Sequence, residues 1–128
     1  MTWTHDDANA LYSVASWGDD FFKVSADGNV VVSPRCWAPE QKIDLYELLG
    51  DVQRRGLQTP VLMRFEGILR SRVRELSGAF KRASKEYGFK SSYRPIYPIK
   101  VNQERHVVDA LLRDGRELGL GLEAGSKP

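Results

Sequence analysis

An α/β chain, in which parallel crossover units follow an amino-terminal β-hairpin, is predicted by three features of the sequence. Short apolar runs at 61–65, 93–101 and 118–122 read as strands of the kind buried in parallel sheets. Between them, Leu69, Val73, Leu76, Phe80, Ala83 and Tyr87 recur at alternating spacings of four and three, and Val107, Val108, Leu111 and Leu112 continue that period, which belongs to helices packed on one face. Ahead of these, Asp27-Gly28 lies between Phe21-Phe22-Lys23-Val24 and Val30-Val31-Val32 and offers the positive backbone angles of a tight hairpin. Strand, helix, strand, helix, strand with short connections implies right-handed crossovers and a parallel sheet.

Taken in order, residues 1–16 are polar and show no caps, so a flexible lead-in is expected, with Trp17 as its anchor. The hairpin follows. Pro34 and Pro39 then break the chain, with Trp37 between them. Asp44 and Glu47 form a capping box that starts a helix near Leu45, and Ile43 is placed to staple on Leu48. Leu45, Leu48, Leu49 and Val52 give that helix its inward stripe, and Gly56 ends it. Thr59-Pro60 opens the strand at 61–65, and the long helix after Glu66-Gly67 stops at Gly88. Arg70, Arg74, Lys81 and Lys85 line a flank of that helix, a basic stripe read as a solvated outer face rather than an anion surface. The next strand carries Pro95 and Pro98, each of which removes a ladder donor and is unusual in a central strand. Asn102 suits the N-cap of the third helix, Glu104 its first turn and Gly115 its C′ position.

Composition narrows the function classes. Nineteen Lys and Arg against seventeen Asp and Glu leave a formal charge of +2, so no polyanionic partner is demanded and nucleic acid is not expected. The single cysteine, Cys36, excludes an internal disulfide and cannot make a zinc site alone; it reads as a small buried apolar group in a reducing compartment. The first residues carry acid where a secretory signal carries base, and no apolar run approaches a membrane span, so a cytoplasmic chain with no membrane partner is expected. Gly119, Gly121 and Gly125 are spaced one residue too widely for a dinucleotide fingerprint, which argues against a nicotinamide or flavin site. His106, beside the helical valines, reads as structural.

Lys100 carries the chemistry in this reading. In an extended run Ile96, Pro98 and Lys100 share one side, which sets the lysine among apolar neighbours at the carboxyl end of a strand, where barrel and open α/β folds place their sites. Loss of hydration there disfavours the ammonium form and frees the amine for Schiff-base chemistry. A strand-end lysine can equally lay its stem on the surface and keep its charge in water. Glu123 emerges at the same end of the adjacent strand, within reach of the lysine or of a cofactor ring, and is otherwise a solvated loop acid.

Tyr97-Pro98-Ile99-Lys100-Val101-Asn102-Gln103, continued by Arg105-His106-Val107-Val108, resembles the cofactor-lysine segment of the biosynthetic arginine decarboxylases, and 121–128 resembles that family's next strand-end segment. Trp17-Gly18, the hairpin, Ile43-Asp44-Leu45-Tyr46-Glu47-Leu48 and Pro60-Val61-Leu62-Met63-Arg64-Phe65 are similar to its opening. The resemblance implies the first βαβαβ part of a (β/α)8 alanine-racemase-like barrel that binds pyridoxal 5′-phosphate. Residues 1–42 then belong with a carboxyl-terminal β domain outside the chain, and 43–128 with the barrel. At 128 residues the chain is short of the roughly 200 or more that such a barrel needs, so it is expected to be the amino-terminal part of a larger enzyme and inactive alone. The hairpin's apolar side chains would be left without cover.

The implied activity is conversion of L-arginine to agmatine and carbon dioxide, for polyamine and spermidine biosynthesis, through a pyridoxal-phosphate Schiff base on Lys100, with Glu123 also at the cofactor. Magnesium and a homo-oligomer with shared active sites are implied by the resemblance alone; no carboxylate cluster in the sequence marks a metal site. Three alternatives stand beside this: a related decarboxylase of diaminopimelate or ornithine, a non-catalytic pyridoxal-phosphate carrier, against which the hairpin argues, and a binding module of βαβ units.

Overall fold

The computed structural model describes residues 2–34, 38 and 40–125. The expectations placed on Cys36, Trp37, Pro39, Ser126, Lys127 and Pro128 lie outside the described residues. The chain divides into two compact units, Met1–Phe65 and Glu66–Pro128.

The first unit opens on two helices, α1 (His5–Leu11) and α2 (Val14–Gly18), in place of the expected flexible lead-in. A reciprocal cap starts α1. The Asp7 amide donates to Thr4 Oγ1 at 3.2 Å, while the Asp7 carboxylate accepts from the Thr4 amide at 2.8 Å and from its hydroxyl at 2.6 Å. Trp17 does anchor this segment: its indole N–H donates to the Tyr12 carbonyl at 2.9 Å, and its ring lies 5.4 Å from that of Phe22.

The predicted hairpin forms from β1 (Phe22–Val24) and β2 (Val30–Val32), antiparallel with Phe22 opposite Val32. Gly28 takes a φ of 84° in its turn, where a side chain would be strained. A third strand, β3 (Ile43–Asp44), pairs antiparallel with the other edge of β2. Val32 is fully buried, with Val14, Phe21 and Ala38 in the core, while Phe22, Val24 and Val30, on the face that Val32 shares, are half-buried. Helix α3 (Leu45–Arg54) starts where predicted, because Asp44 Oδ1 accepts from the amides of Tyr46 and Glu47 at 2.9 and 3.1 Å. Asp44 Oδ2 accepts from the Asn29 side chain at 2.8 Å and so ties the helix start to the hairpin turn. The stripe of Leu45, Leu48, Leu49 and Val52 is half-buried.

The run 61–65 does not become the predicted strand. It has no ladder partner among the described residues, and Leu62 is 76% exposed. An apolar run of this kind is a strand only where neighbours pair its backbone and cover both faces.

The second unit holds α4 (Glu66–Glu86), β4 (Ile96–Pro98), α5 (Arg105–Gly115) and β5 (Gly121–Glu123). Strands β4 and β5 are parallel, with Ile96, Tyr97 and Pro98 opposite Gly121, Leu122 and Glu123, so β4, α5 and β5 make one predicted crossover unit. Both strands are shorter than the sequence reading has them, and the sheet has two strands rather than three. The mixed α/β class stands.

Helix α5 lies against α4 and buries Val107, Ala110 and Leu111, while Leu112, expected inward, is 36% exposed. On α4 the buried residue is Ser71, small enough for close approach, its hydroxyl donating to the Gly67 carbonyl at 2.9 Å. Arg113 Nη2 meets Glu66 Oε2 at 2.5 Å across the two helices, and this pair, more than the neighbouring Asp114, raises the Arg113 pKa. The predicted α4 stripe is largely open: Leu76, Phe80 and Tyr87 are exposed, although Phe80 stacks flat on Tyr93 with centroids 4.0 Å apart. Gly115 is not the C′ residue; it remains helical, and a tight turn at Arg116–Leu118 leads to Gly119, whose φ of 69° makes the stop. Gly115 is required for another reason, since a Cβ there would fall 2.6 Å from Leu120 Cβ. Among the described residues no helix is long and apolar enough to cross a membrane.

Candidate functional site

Strand β4 ends at Pro98, and the chain turns at once through a single 3-10 turn, Ile99–Val101. Lys100 sits in that turn, two residues beyond Pro98, and Pro98 is the register partner of Glu123 at the end of β5. The parallel pairing therefore brings Lys100 and Glu123 to the same end of neighbouring strands.

The surroundings of Lys100 differ from the sequence reading. The turn interrupts the strand alternation that would set Lys100 with Ile96 and Pro98, and the lysine is exposed. Its apolar neighbours cannot desolvate it within this unit, because Ile96 and Val101 are themselves 62% and 70% exposed.

Two contacts flank the turn, and the one at Asn102 follows from the capping chemistry of that residue. The Tyr97 hydroxyl donates to the Asn102 carbonyl at 3.2 Å, spanning the lysine-bearing residues. Asn102 Oδ1 accepts from the Glu104 amide at 2.9 Å. Asn102 thus braces the approach to α5, while Glu104 is the residue at the N-cap position itself. The Tyr97 contact needs the 3-10 turn to bring its partners together, so strand spacing does not reveal it, whereas the Asn102 contact is local. His106 Nε2 stands 3.1 Å from Glu104 on the exposed side of α5, consistent with a surface role.

Glu123 is half-buried, and its Oε1 lies 3.0 Å from the place a Cβ on Gly125 would take. A Cβ at 125 would make the end of the Glu123 side chain shift by a few tenths of an ångström. Among the described residues no group of three or more His, Cys, Asp or Glu is gathered to hold a metal. Lys100 and Glu123 fit a carbonyl-bearing cofactor in part: an accessible amine and a carboxylate on the next strand end.

The class defined by this fold and site is an α/β chain that presents an amine and a carboxylate together at parallel strand ends. The comparisons give the family. No protein-family model matches the chain. It is 48% identical over 126 residues to the biosynthetic arginine decarboxylase of Rhodopirellula baltica, covering 98% of this chain and 19% of that protein. The corresponding protein of Gloeobacter violaceus is 44% identical over the same shares. The crystal structure of the biosynthetic arginine decarboxylase SpeA from Campylobacter jejuni superposes with a TM-score of 0.81 at 30% identity, over 91% of this chain and 19% of that one. The family recognised from the two lysine-side segments is thus the biosynthetic arginine decarboxylases, and the chain spans about a fifth of the length of the relatives it matches.

Proposed function

We propose that this chain supplies the cofactor-lysine segment of an arginine decarboxylase that converts L-arginine to agmatine and carbon dioxide, feeding polyamine and spermidine biosynthesis. The observation that carries the reading is the parallel register that puts Lys100 beyond Pro98 and Glu123 beside Pro98. The names of the relatives support arginine over diaminopimelate or ornithine as substrate.

Lys100 would hold pyridoxal 5′-phosphate through its amine, and Glu123 would face the ring or the lysine. When bound, that cofactor supplies an electron sink for the pair left as the substrate carboxylate departs. For its part the chain positions the amine. Tyr97 and Asn102 hold the turn that carries Lys100, and the Glu123 carboxylate supplies negative charge to balance a cation at the same strand end. Desolvation of Lys100, which this unit does not provide, falls in this reading to the rest of the enzyme. Magnesium enters this proposal by the resemblance alone, and no step is routed through it. A homo-oligomeric enzyme of the cytoplasm completes the proposal.

The test is a chimera in which this chain replaces the matching segment of the Rhodopirellula baltica enzyme. Agmatine formation is expected, with Lys100→Ala losing nearly all turnover and the lysine adduct trapped by borohydride, while Glu123→Gln shows a smaller defect in cofactor affinity. Trapping at the parent level in Lys100→Ala would overturn the assignment. A chimera that folds and binds pyridoxal phosphate yet decarboxylates only another amino acid would overturn the substrate.

A further inference from the structure

A cavity of about 420 Å³ lies in the second unit, lined by Arg74, Ser77, Lys81 and Ser84 of α4, by Ser91, Ser92 and Tyr93 ahead of β4, and by Leu118. Its place is the amino end of β4, opposite the end that carries Lys100. Two of the four cations in the basic stripe of α4 open into it, and no acid is among its described lining residues. Five residues with hydroxyls join them, four serines and Tyr93. The Ser77 Oγ is sealed from solvent, and so from the space of the cavity, while Ser84, Ser91, Ser92 and Tyr93 are only half-buried or exposed. Gly78 adds no side chain to the wall and so keeps the space open.

We infer that this cavity is a binding site for the phosphate group of a small phosphate monoester. Paired cations and convergent hydroxyls match the charge and the several acceptor oxygens of a phosphate. Arg74 also stands 3.6 Å from Glu117, a long and exposed pair, so Lys81 is the less encumbered cation. The volume exceeds what a bare anion fills and falls in the range of small-molecule pockets. Tyr93, held by its stack on Phe80, and Leu118 provide apolar wall for an organic body. This site is independent of the proposed decarboxylase chemistry.

Titration calorimetry on the full chain tests the inference with ribose 5-phosphate, inorganic phosphate and ribose as probes. Ribose 5-phosphate is expected to bind more tightly than inorganic phosphate, ribose not at all, and affinity to fall with added salt. Lys81→Gln should weaken binding about tenfold or more, the loss of one charge-assisted hydrogen bond. Lys100→Ala should leave it unchanged. Equal binding of the two phosphates would uphold the oxyanion site and overturn the organic body. The site itself is overturned if neither phosphate saturates by about 1 mM, if Lys81→Gln binds as the parent does, or if Lys100→Ala abolishes binding and so places the ligand at the other strand end.

Discussion

Asp44 does three things with one carboxylate. It caps α3 through the amides of Tyr46 and Glu47 and accepts from the Asn29 side chain of the hairpin turn. The Asn29 hydrogen bond is the main cause of its lowered pKa; partial desolvation works against it, and the Glu47 and Tyr46 amides add to the lowering. A carboxylate whose folded pKa lies below its unfolded value, 3.8, contributes stability that is fully present above that value and is lost as pH falls through the folded one. Asp44→Ala should therefore lower the denaturation midpoint by a constant amount at neutral and mildly acid pH. The difference from the parent should shrink only below about pH 4. Denaturant titrations of both proteins across that range check this; a difference that persists undiminished at the acid end would mean that the charge is not what Asp44 contributes. Asp7, whose pKa is lowered first by the Thr4 hydroxyl, is unchanged in both proteins and cancels.

Among the elements, α4 most clearly separates a sequence pattern from its fulfilment. Its stripe has the period of a core-facing helix, yet Leu76 is 49% and Tyr87 81% exposed, and the helix is anchored instead through Ser71, Arg113 and the Phe80–Tyr93 stack. Leu76→Glu is expected to change the stability of this chain by no more than about 0.5 kcal/mol, as for surface positions. In the chimera with the rest of a decarboxylase, the same change should cost about 2 kcal/mol or more, the burden of a polar group placed where apolar cover is meant to sit. Equal effects in the two settings, read from thermal unfolding, would show that the stripe has no further partner.

Across the whole molecule, what the sequence made legible was local. The hairpin turn at Gly28, the Asp44 cap and the α5 stripe all appear because their signals lie within a few residues of one another. The crossover from β4 to β5 was legible as well, and with it the meeting of Lys100 and Glu123 at one end. What stayed hidden depended on partners distant in sequence or on a break in periodicity. The strand at 61–65 needs neighbours on both edges, the cover of Lys100 needs walls that this unit lacks, and the 3-10 turn after Pro98 cancels the face assignment drawn from alternation. Helix α1 has no familiar signal because its cap uses aspartate where the usual box carries glutamate or glutamine, and α2 has no side-chain cap at all.

Pro98, awkward for a central strand, has a use in a sheet of two. The Gly121 amide donates to the Pro95 carbonyl, which sets Pro95 and Tyr97 toward β5 and leaves Ile96 and Pro98 directed outward, since alternate residues of a parallel strand serve opposite neighbours. On that outer edge Ile96 has an N–H to offer and Pro98 has none. The edge is thus a poor template for a second molecule, and strands from different copies are discouraged from stacking into fibrils. Pro98→Ala should shorten the lag of thioflavin-positive aggregation while leaving the parallel pair intact; an unchanged lag would mean that the edge is guarded by something else. The proline that precedes the turn for the lysine thus also withholds a donor from the strand of a neighbouring copy.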